Sequence, residues 1–368
     1  MIILGSIKND YEEQYLSLIG DIIENGNRSD DRTGTGTMKV FARTIRHDMS
    51  QGLPLITTRQ MFYKNGIVEL LWMLKGDTNI RYLVQNGVNI WVGDCYKKYT
   101  TCCSANSAEW NEWMRDNGDG TLSMYTQKEF IEKVKTDNKF AEKWGELNKV
   151  YGSEWTDWYG INQLQECIDT LKTNPDSRRI LVTAWNPVNV KKATLPPCHV
   201  MYQFYTEKIS IKERIKLALI EFKKEHKDNN TVADGNDVAD LLIGAGVNVE
   251  RIINHYNIPS RKISLCYTMR SVDCGLGLPT DQLLYGLLLE MVAQCVDMVP
   301  GELVCNLVDT HVYVNQIDGL KELISRTPGN LPKLVLNKDV KDIFQFKYED
   351  IQVVDYVHQD KIFLPLSN

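Results

Sequence analysis

One cysteine is the strongest candidate for chemistry in this sequence. Cys198 lies in the segment LPPCH at 195–199, where two prolines fix the backbone just before a strand-like run. Such rigidity suits a nucleophile, which must approach its target from a fixed direction. A cysteine taken alone is more often a small buried apolar residue, so the assignment of Cys198 as a nucleophile depends on the residues around it.

Charged residues elsewhere in the chain could support such a nucleophile. Glu69 lies inside the apolar run 67–75, and its apolar flanks weaken the ordinary explanation of a partly exposed helix residue. Arg178 and Arg179 follow a turn-forming Asn-Pro-Asp segment, and Arg270 ends a strand-like run. Arginines at such turns in an acidic protein could form a phosphate site, although each one singly is more often part of a surface ion pair.

The elements that position these residues must come from an ordinary globular chain. The 368 residues carry 42 basic and 48 acidic side chains, a net charge of −6, and 43% of them are hydrophobic. This balance argues against a general nucleic-acid-binding protein and against a disordered one. The length allows one large domain or two smaller ones.

Compartment and redox state follow from what the sequence lacks. The N-terminus reaches acidic residues too soon for a signal peptide, and no apolar run supplies the roughly 20 uncharged residues of a membrane span. We therefore expect a soluble, cytoplasmic protein that binds neither membrane nor nucleic acid. Nine cysteines without a regular framework predict reduced thiols, and the lack of Cys-x-x-Cys motifs and of clustered histidines argues against a metal site.

The periodicity of apolar residues predicts strands mixed with long helices, and hence an α/β or α+β fold. Helices are predicted at 9–24, 67–75 and 281–297, and strands at 38–42, 179–185, 200–205 and 262–269. Two segments differ from their surroundings: 95–145 contains a DNGDG turn and a charged helical pattern at 127–144, and 206–261 is helical with alternating charges. We expect both to be insertions, the second joining two strands.

Several short blocks of distinctive residues follow one another along the chain. The blocks are DRTGTGT (31–37), ELLW (69–72) with GDTNI (76–80), VYG (150–152), PDSRR (175–179), PCH (197–199), RSVD (270–273) with GLP (277–279), PGE (300–302) and DTHVY (309–313). In order and content they resemble the thymidylate synthase family, and they cover nearly the whole chain apart from the two insertions. The resemblance implies one catalytic domain over 1–368 with an α+β fold, a mixed β-sheet packed with helices, and a homodimer formed through the sheet.

The resemblance assigns the chemistry to five residues. Cys198 would add to C6 of a pyrimidine deoxynucleotide 5′-monophosphate, which makes C5 nucleophilic, and Arg270 beside it would favour the thiolate. Glu69 would handle protons, which explains an acid in an apolar helix, where burial raises its pKa toward neutrality. Tyr151 would remove the C5 proton. Asp281 occupies the position that contacts the base.

Residues that bind the nucleotide and the carbon donor are implied in the same way. Those for the nucleotide are Arg32, Arg178, Arg179 and Ser271 at the phosphate, His311 and Tyr313 at the deoxyribose 3′-hydroxyl, and His199, Gln203 and Asp273 elsewhere in the site. The two adjacent arginines would cross from the partner subunit. The carbon donor would be 5,10-methylenetetrahydrofolate, held without a metal by Arg59, Ile90, Trp91, Asp273 and Gly277 and covered by the C-terminal tail.

The base-reading position departs from the family. Thymidylate synthases carry an asparagine there, whose amide donates to uracil O4 and accepts from N3–H, whereas this chain has Asp281. An ionised carboxylate only accepts hydrogen bonds, so it would repel O4 of uracil and accept from the amino group at C4 of cytosine. Deoxycytidylate hydroxymethylases of phages show the same exchange. This points to dCMP as the substrate and, for a phage-encoded protein, to hypermodified DNA made in the host cytoplasm.

The product is left open by the sequence. The exocyclic methylene formed at C5 can accept water, giving hydroxymethyl, or hydride from tetrahydrofolate, giving methyl. Hydroxymethylation of dCMP is the first prediction, methylation of dCMP the second, and the corresponding reactions of dUMP the third. His199 follows the thymidylate synthase pattern, whereas Arg59, Thr280 and the segment 92–94 depart from it where the folate would bind.

Two other classes of protein deserve comparison with this interpretation. A cysteine hydrolase would need Cys198 and His199 as a nucleophile–base pair, but adjacent residues on a strand point to opposite faces. A non-catalytic nucleotide-binding protein would have no need for Cys198, Glu69 and Tyr151 together with a phosphate site. Both classes are therefore less favoured than a one-carbon transferase.

Overall fold

A computed structural model describes residues 9–31, 33–104, 108–226 and 235–367. The helices are α1 (Asp10–Asn25), α2 (Lys64–Leu74), α3 (Arg81–Gln85), α4 (Val92–Ser104), α5 (Gln127–Thr136), α6 (Asn138–Trp144), α7 (Tyr151–Thr156), α8 (Gln163–Thr173), α9 (Ile211–His226), α10 (Gly235–Gly244), α11 (Val249–His255), α12 (Gly277–Cys295) and α13 (Ile317–Ile324). The strands are β1 (Asn27–Ser29), β2 (Thr37–Asp48), β3 (Arg115–Asp116), β4 (Leu122–Ser123), β5 (Leu181–Thr183), β6 (His199–Lys208), β7 (Arg261–Asp273), β8 (Val299–Tyr313), β9 (Lys333–Leu336) and β10 (Ile351–Val354).

A six-stranded sheet in the order β1-β2-β8-β7-β6-β5 organises the chain. β7 and β8 are parallel and the other neighbours are antiparallel, so the sheet is mixed. Helix α12 packs on β7 and β8 and also on α2, while α1 packs on β2 and β8. The predicted α+β fold, with a mixed sheet packed with helices, is confirmed.

Helix α12 is the central helix of this packing. Its side chains from Gln282 to Leu289 are all buried, which is typical of a helix enclosed by protein on every side. The helix begins at Gly277, four residues earlier than the predicted 281, because Pro279 is tolerated within a first helical turn. No helix within the described ranges is both long and apolar enough to span a bilayer.

A row of irregularities crosses four strands of the sheet. The strand pairing skips Ala42 on β2, Val308 on β8 and Arg270 on β7, and the register of β6 shifts between His199 and Met201. Ala42 has φ of 52°, in the left-handed region that costs a residue with a Cβ about 1–2 kcal/mol. Because the skipped positions are neighbours across the sheet, the strands bend together at this row.

The bend changes which side chains of each strand face the core. On β8 the odd-numbered residues from Leu303 to Leu307 are buried, whereas from Thr310 onward the even-numbered residues are buried. On β7 the burial changes in the same way between Met269 and Val272. The strand ends beyond the row therefore present a different set of side chains than simple alternation predicts.

The two segments expected to be insertions have different packing. The segment 95–145 contains α4, the β3–β4 hairpin, α5 and α6, and its aromatic residues, including Phe130 and Trp144, belong to the main hydrophobic core. The pattern at 127–144 forms two helices, because Asp137 ends α5 and caps α6. Helices α9 to α11 lie between β6 and β7 and have a small core of their own, formed by Ile215, Ala218, Ala239, Ile253 and Ile258.

Replacing Ala42 with glycine is expected to raise the free energy of unfolding by about 0.5–1 kcal/mol. Glycine removes the cost of about 1–2 kcal/mol at the positive φ, and part of this gain is offset by its greater freedom in the unfolded chain. Ala42→Val, with its β-branched side chain, is expected to lower stability by about 1–3 kcal/mol. Urea denaturation of the three proteins measures both changes, and a loss of stability in Ala42→Gly would show that this bend is not strained.

Candidate active site

Cys198 lies immediately before β6, at the row where the sheet bends. Its carbonyl oxygen accepts a hydrogen bond from the backbone N–H of Arg270 (2.9 Å), and its own N–H donates to the hydroxyl of Tyr151 (3.1 Å). Tyr151 begins α7, and burial raises the pKa of its phenol well above the ordinary value. The half-buried Cys198 is therefore fixed from the sheet on one side and from α7 on the other.

Arg270 lies beside the thiol of Cys198. Its Nη2 is 3.8 Å from Sγ, and it also donates to the carbonyl oxygen of Pro196 (2.9 Å), while Nε donates to that of Pro197 (2.7 Å). The guanidinium lies 5.5 Å from the ring centroid of Trp185. The two prolines thus fix the cysteine and also hold the cation, and a positive charge at this place favours the thiolate.

Glu69 is buried on α2. One of its oxygens accepts a hydrogen bond from the indole N–H of Trp91 (2.8 Å). Burial raises the pKa of Glu69 from 4.5 to about 7, opposed by the Trp91 hydrogen bond. Trp91 also packs against Tyr151, with ring centroids 6.0 Å apart. The predicted rise in the pKa of Glu69 is thus supported, and Glu69 joins the same cluster as Tyr151 through Trp91.

Asp281 faces His199 from the first turns of α12. Oδ1 of Asp281 is 3.1 Å from Nε2 of His199, and Nδ1 of His199 is 3.0 Å from the hydroxyl of Tyr285. The Asp281 side chain is 16% exposed and that of His199 only 7%. The carboxylate of Asp281 also raises the pKa of Glu69, although less than burial does, which shows that the two acids share one site.

Asp273, at the end of β7, lies beside the start of α12. Its Oδ1 accepts hydrogen bonds from the backbone N–H groups of Gly275 (2.8 Å) and Leu276 (3.3 Å), and burial raises its pKa. A Cβ built on Gly277 would lie 3.8 Å from Asp273 and 3.7 Å from Asp281, so Gly277 leaves space between these acids. This space therefore adjoins Oδ2 of Asp281.

Arg59 and the C-terminal tail converge on the Asp273 loop. Nη2 of Arg59 donates to the carbonyl oxygen of Gly275 (2.7 Å), and the Arg59 side chain is buried. Gln316 donates both to Asp273 (3.5 Å) and to the carbonyl oxygen of Pro365 (3.1 Å). The tail therefore contacts the edge of the site.

His311 and Tyr313 lie at the end of β8. Their rings meet edge to face, with centroids 5.5 Å apart. Asp273 on β7 is the register partner of His311, and Ser271 is the partner of Asp309. The neighbouring strand ends thus bring these side chains to the same edge of the sheet as Arg270.

Some predicted residues lie elsewhere. Arg178 and Arg179 are exposed near β5, and Gln203 on β6 donates to the carbonyl oxygen of Arg178 (3.4 Å). By strand register these arginines lie roughly 20 Å along the sheet from Cys198. Ile90, next to Trp91, is 39% exposed, and Arg32 lies outside the described residues.

Three residues that support this cluster had no predicted role. Trp185 lay in a predicted strand and had no assigned role, yet its ring packs on Arg270. Tyr285 follows Asp281 by four residues, a spacing that places both on one face of a helix and could have identified it. Asp309 carried no expectation, although its carboxylate contacts His311.

A thiol, an adjacent arginine and buried acids gathered at the bent end of a mixed sheet define a site suited to nucleophilic attack by cysteine. Within the described ranges, no group of three or more His, Cys, Asp or Glu side chains could hold a metal ion. The chemistry available from this arrangement is addition of the thiolate to an electrophilic carbon, with proton transfer by the acids.

Comparison with known proteins identifies the family. The family model for thymidylate synthase matches residues 13–221 and 243–368. The chain is 39% identical over 346 residues to the thymidylate synthase of Mycoplasma mobile, covering 94% of this chain and 96% of the relative. It is 36% identical over 344 residues to that of Phytoplasma mali (94% and 96%) and 35% identical over 365 residues to that of Listeria innocua (96% and 99%).

The chain belongs to the thymidylate synthase family, whose members are one-carbon transferases that use 5,10-methylenetetrahydrofolate as co-substrate. The resemblance inferred from the ordered sequence blocks is confirmed. The unmatched residues 222–242 fall within the segment 206–261, whereas the segment 95–145 lies inside the matched range.

Replacing Trp91 with phenylalanine is expected to raise the pKa of Glu69 above about 7. The substitution removes the N–H that stabilises the carboxylate but keeps an aromatic ring, and loss of one such hydrogen bond corresponds to roughly one pKa unit. A ¹³C NMR titration of the Glu69 carboxyl group measures the change. Trp72→Phe is the control, since the indole N–H of Trp72 donates to Asn79 instead, and an unchanged midpoint in Trp91→Phe would contradict the assignment.

Proposed function

We propose that this protein transfers a one-carbon unit from 5,10-methylenetetrahydrofolate to C5 of dCMP. The observation that carries the choice of cytosine is the position of Asp281, with Oδ1 3.1 Å from Nε2 of His199 and the side chain mostly buried. The relatives are named thymidylate synthases, so their names support the type of reaction but not the choice of cytosine.

The hydrogen bonds around Asp281 favour a carboxylate that accepts. A carboxylate oxygen can only accept, so Nε2 of His199 carries the proton of that hydrogen bond, and Nδ1 then accepts from the hydroxyl of Tyr285. With Oδ1 engaged by His199, Oδ2 is the oxygen available to the base. It would accept from the C4 amino group of cytosine and repel O4 of uracil.

The same carboxylate can activate the base for attack. N3 of cytosine is an acceptor like the carboxylate, so binding of dCMP would take up one proton from solvent, and this proton would be shared between N3 and Asp281. Protonation at N3 withdraws electrons from the ring and makes C6 more electrophilic. Recognition of cytosine and activation of C6 would therefore come from one side chain.

The thiol chemistry follows from the positions of Cys198 and Arg270. The thiolate sulfur forms a bond to C6, and the electron pair of the C5–C6 bond moves to make C5 nucleophilic. C5 would then bond to the methylene carbon of the folate as the bond from that carbon to one folate nitrogen breaks, and the proton at C5 would leave to a base. Loss of tetrahydrofolate by cleavage of the second carbon–nitrogen bond would give the exocyclic methylene. After water or hydride adds to this methylene, the electron pair displaced to C5 would expel the thiolate of Cys198 from C6. Tyr151, whose hydroxyl contacts the backbone of Cys198, is the candidate for this proton transfer, and Glu69 relays protons near neutral pH.

The folate site would be formed around the Asp273 loop. The co-substrate supplies the methylene carbon. Asp273 provides a carboxyl whose pKa is raised by burial, which suits a ligand that both donates and accepts hydrogen bonds, and Gly277 leaves space beside it. Trp91 and Ile90 offer an apolar wall, Arg59 holds the Asp273 loop through Gly275, and the tail closes the edge.

Hydroxymethyl is the product that the exchange to Asp281 favours, by analogy with the deoxycytidylate hydroxymethylases. Methyl is the second candidate, and a specific observation favours it. The ring of Trp91, held by Glu69 and packed on Tyr151, would shield the exocyclic methylene from water and leave hydride transfer as the faster step. The relatives named thymidylate synthase, which form a methyl group, are consistent with this alternative.

A homodimer with shared sites is also part of the proposal. Arg178 and Arg179 are exposed and lie roughly 20 Å along the sheet from their own Cys198, so they cannot contact a phosphate bound beside it. In a symmetric dimer formed through the sheet they would reach the partner's site, where Arg270 and Ser271 supply the remaining phosphate contacts.

The substrate assignment predicts that dCMP has a higher kcat/KM than dUMP and that Asp281→Asn shifts the ratio toward dUMP. The substitution is nearly isosteric, so the change should equal one or two buried polar contacts, about 1–3 kcal/mol each. Steady-state kinetics with both nucleotides in the wild type and the variant measure the shift.

Two further measurements complete this test. Mass spectrometry of the product distinguishes a hydroxymethyl from a methyl group, and only the methyl product is accompanied by dihydrofolate. Cys198→Ala is the control and should abolish release of tritium from C5 of the nucleotide. An unchanged kcat/KM ratio in Asp281→Asn would show that Asp281 does not read the base, and a higher kcat/KM for dUMP than for dCMP in the wild type would make dUMP the preferred substrate.

Shared sites predict that two inactive variants restore activity together. Arg179→Ala should lose phosphate binding and Cys198→Ala should lose the nucleophile, so each homodimer is inactive. After mixing under conditions that exchange subunits, heterodimers carry one site with both residues intact, and activity should return to at most about a quarter of wild type per subunit. Absence of activity in purified heterodimers would contradict sharing.

A further inference from the structure

We propose that Asp309 is a positioning residue that fixes the tautomer of His311, so that Nε2 of His311 accepts a hydrogen bond from the nucleotide 3′-hydroxyl. This inference rests on the proposed function, in which His311 contacts the deoxyribose. It adds a requirement on the nucleotide: the group at C3′ must be a hydrogen-bond donor.

The contact between the two side chains determines where the proton lies. Nδ1 of His311 is 3.0 Å from Oδ1 of Asp309. A carboxylate oxygen only accepts, so Nδ1 must carry a proton, and in the neutral ring Nε2 is then an acceptor. Among the described residues no hydrogen bond to Nε2 is found, so this nitrogen retains its capacity for a ligand.

The strand geometry keeps the contact in place. Asp309 and His311 are two residues apart on β8 and therefore project from the same face of the strand. The His311 side chain is only 12% exposed, and its ring meets Tyr313 edge to face at 5.5 Å, which restricts rotation. Asp273, the register partner of His311 on β7, is the other acid near the ring.

Lys39 on β2 holds the second oxygen of Asp309. Its Nζ lies 3.7 Å from Oδ2, and the two side chains are 39% and 43% exposed. Ion pairs with this exposure add little stability. The arrangement therefore serves to orient the carboxylate toward His311 more than to stabilise the fold.

The tautomer has a consequence for substrate choice. A 3′-hydroxyl donates to Nε2, whereas a 3′-fluorine has no proton to donate and places its lone pairs against the lone pair of nitrogen. If the proton were on Nε2 instead, fluorine would be tolerated as an acceptor. Weaker binding of the 3′-fluoro than of the 3′-deoxy nucleotide therefore indicates that Nε2 is unprotonated, and the opposite order indicates that Nε2 carries the proton.

The first test measures the tautomer directly. In ¹⁵N NMR spectra of the histidine-labelled full-length protein, His311 is expected to carry its proton on Nδ1 in the wild type and mainly on Nε2 in Asp309→Leu. Lys39→Met, which keeps the carboxylate, should retain the wild-type tautomer. A proton on Nε2 of His311 in the wild type overturns the proposal, and this measurement does not depend on how the Leu variant folds.

The second test measures Kd for dCMP and for its 3′-deoxy and 3′-fluoro analogues. In the wild type, dCMP is expected to bind about tenfold more tightly than the 3′-deoxy analogue, and the 3′-fluoro analogue more weakly than the 3′-deoxy one. In Asp309→Leu the 3′-fluoro analogue should bind at least as tightly as the 3′-deoxy one. An unchanged order in Asp309→Leu overturns the proposal.

The uracil series of the same compounds separates the two proposals. Suppose that Asp309→Leu reverses the order of affinity of the 3′-deoxy and 3′-fluoro uracil nucleotides, but that the wild type does not prefer dCMP over dUMP. The choice of cytosine then fails and the role of Asp309 stands. If dCMP is preferred but the order does not reverse, the role of Asp309 fails and the proposed function stands.

Discussion

The bend that crosses the sheet is the constraint on which the rest of the site depends. A regular strand presents alternate residues to one face, so a regular β8 could not bury both Leu307 and Thr310 on that face. The irregular positions at Ala42, Val308 and Arg270 are neighbours, so the strands bend together. Each strand remains paired with its neighbour on both sides of these positions. The nucleophile and the side chains at the strand ends owe their common orientation to this row.

Burial acts differently on the acids that surround the thiol. Glu69 has one indole N–H as a partner, and burial raises its pKa to about 7, where proton exchange is easy. Asp273 accepts hydrogen bonds from two backbone N–H groups, which lower its pKa, but burial has the larger effect and raises it. Oδ1 of Asp281 instead contacts the imidazole of His199. Helix α2, the end of β7 and helix α12 thus supply three acids whose hydrogen-bond partners differ.

Much of the fold and of the site could be predicted from the sequence. The apolar periodicity located α1 and α2, and the helix at 281–297 was found within four residues of its start. The strand β8 was not predicted as a strand, because its burial pattern changes partway and no single period describes it. A bend made by long-range pairing leaves no local pattern in any one strand.

Some contacts within the site could also be predicted from the sequence, and others could not. Cys198 and Glu69 were predicted from recognisable sequence blocks, and the structure brings both to one cluster around Tyr151. Trp185 could not be assigned a role, since it contacts Arg270, which is distant in sequence. Tyr285 contacts His199, and its spacing from Asp281 was a signal that could have identified it. The distance of Arg178 and Arg179 from Cys198 excludes them from a phosphate site beside that cysteine in the same subunit. This distance follows from the strand register and could not be read from the sequence.

The adjacency of Cys198 and His199 has a consequence for how substrate preference can change. One planar peptide unit joins Cys198, the proposed nucleophile, to His199, whose side chain contacts Asp281. The two residues are therefore held at a fixed spacing, with no loop between them. Any movement of this strand that adjusted recognition of the base would displace the sulfur by a similar distance. A change of preferred base is therefore easier by exchange of a side chain on α12, which leaves the spacing of Cys198 and His199 unchanged, than by remodelling the strand.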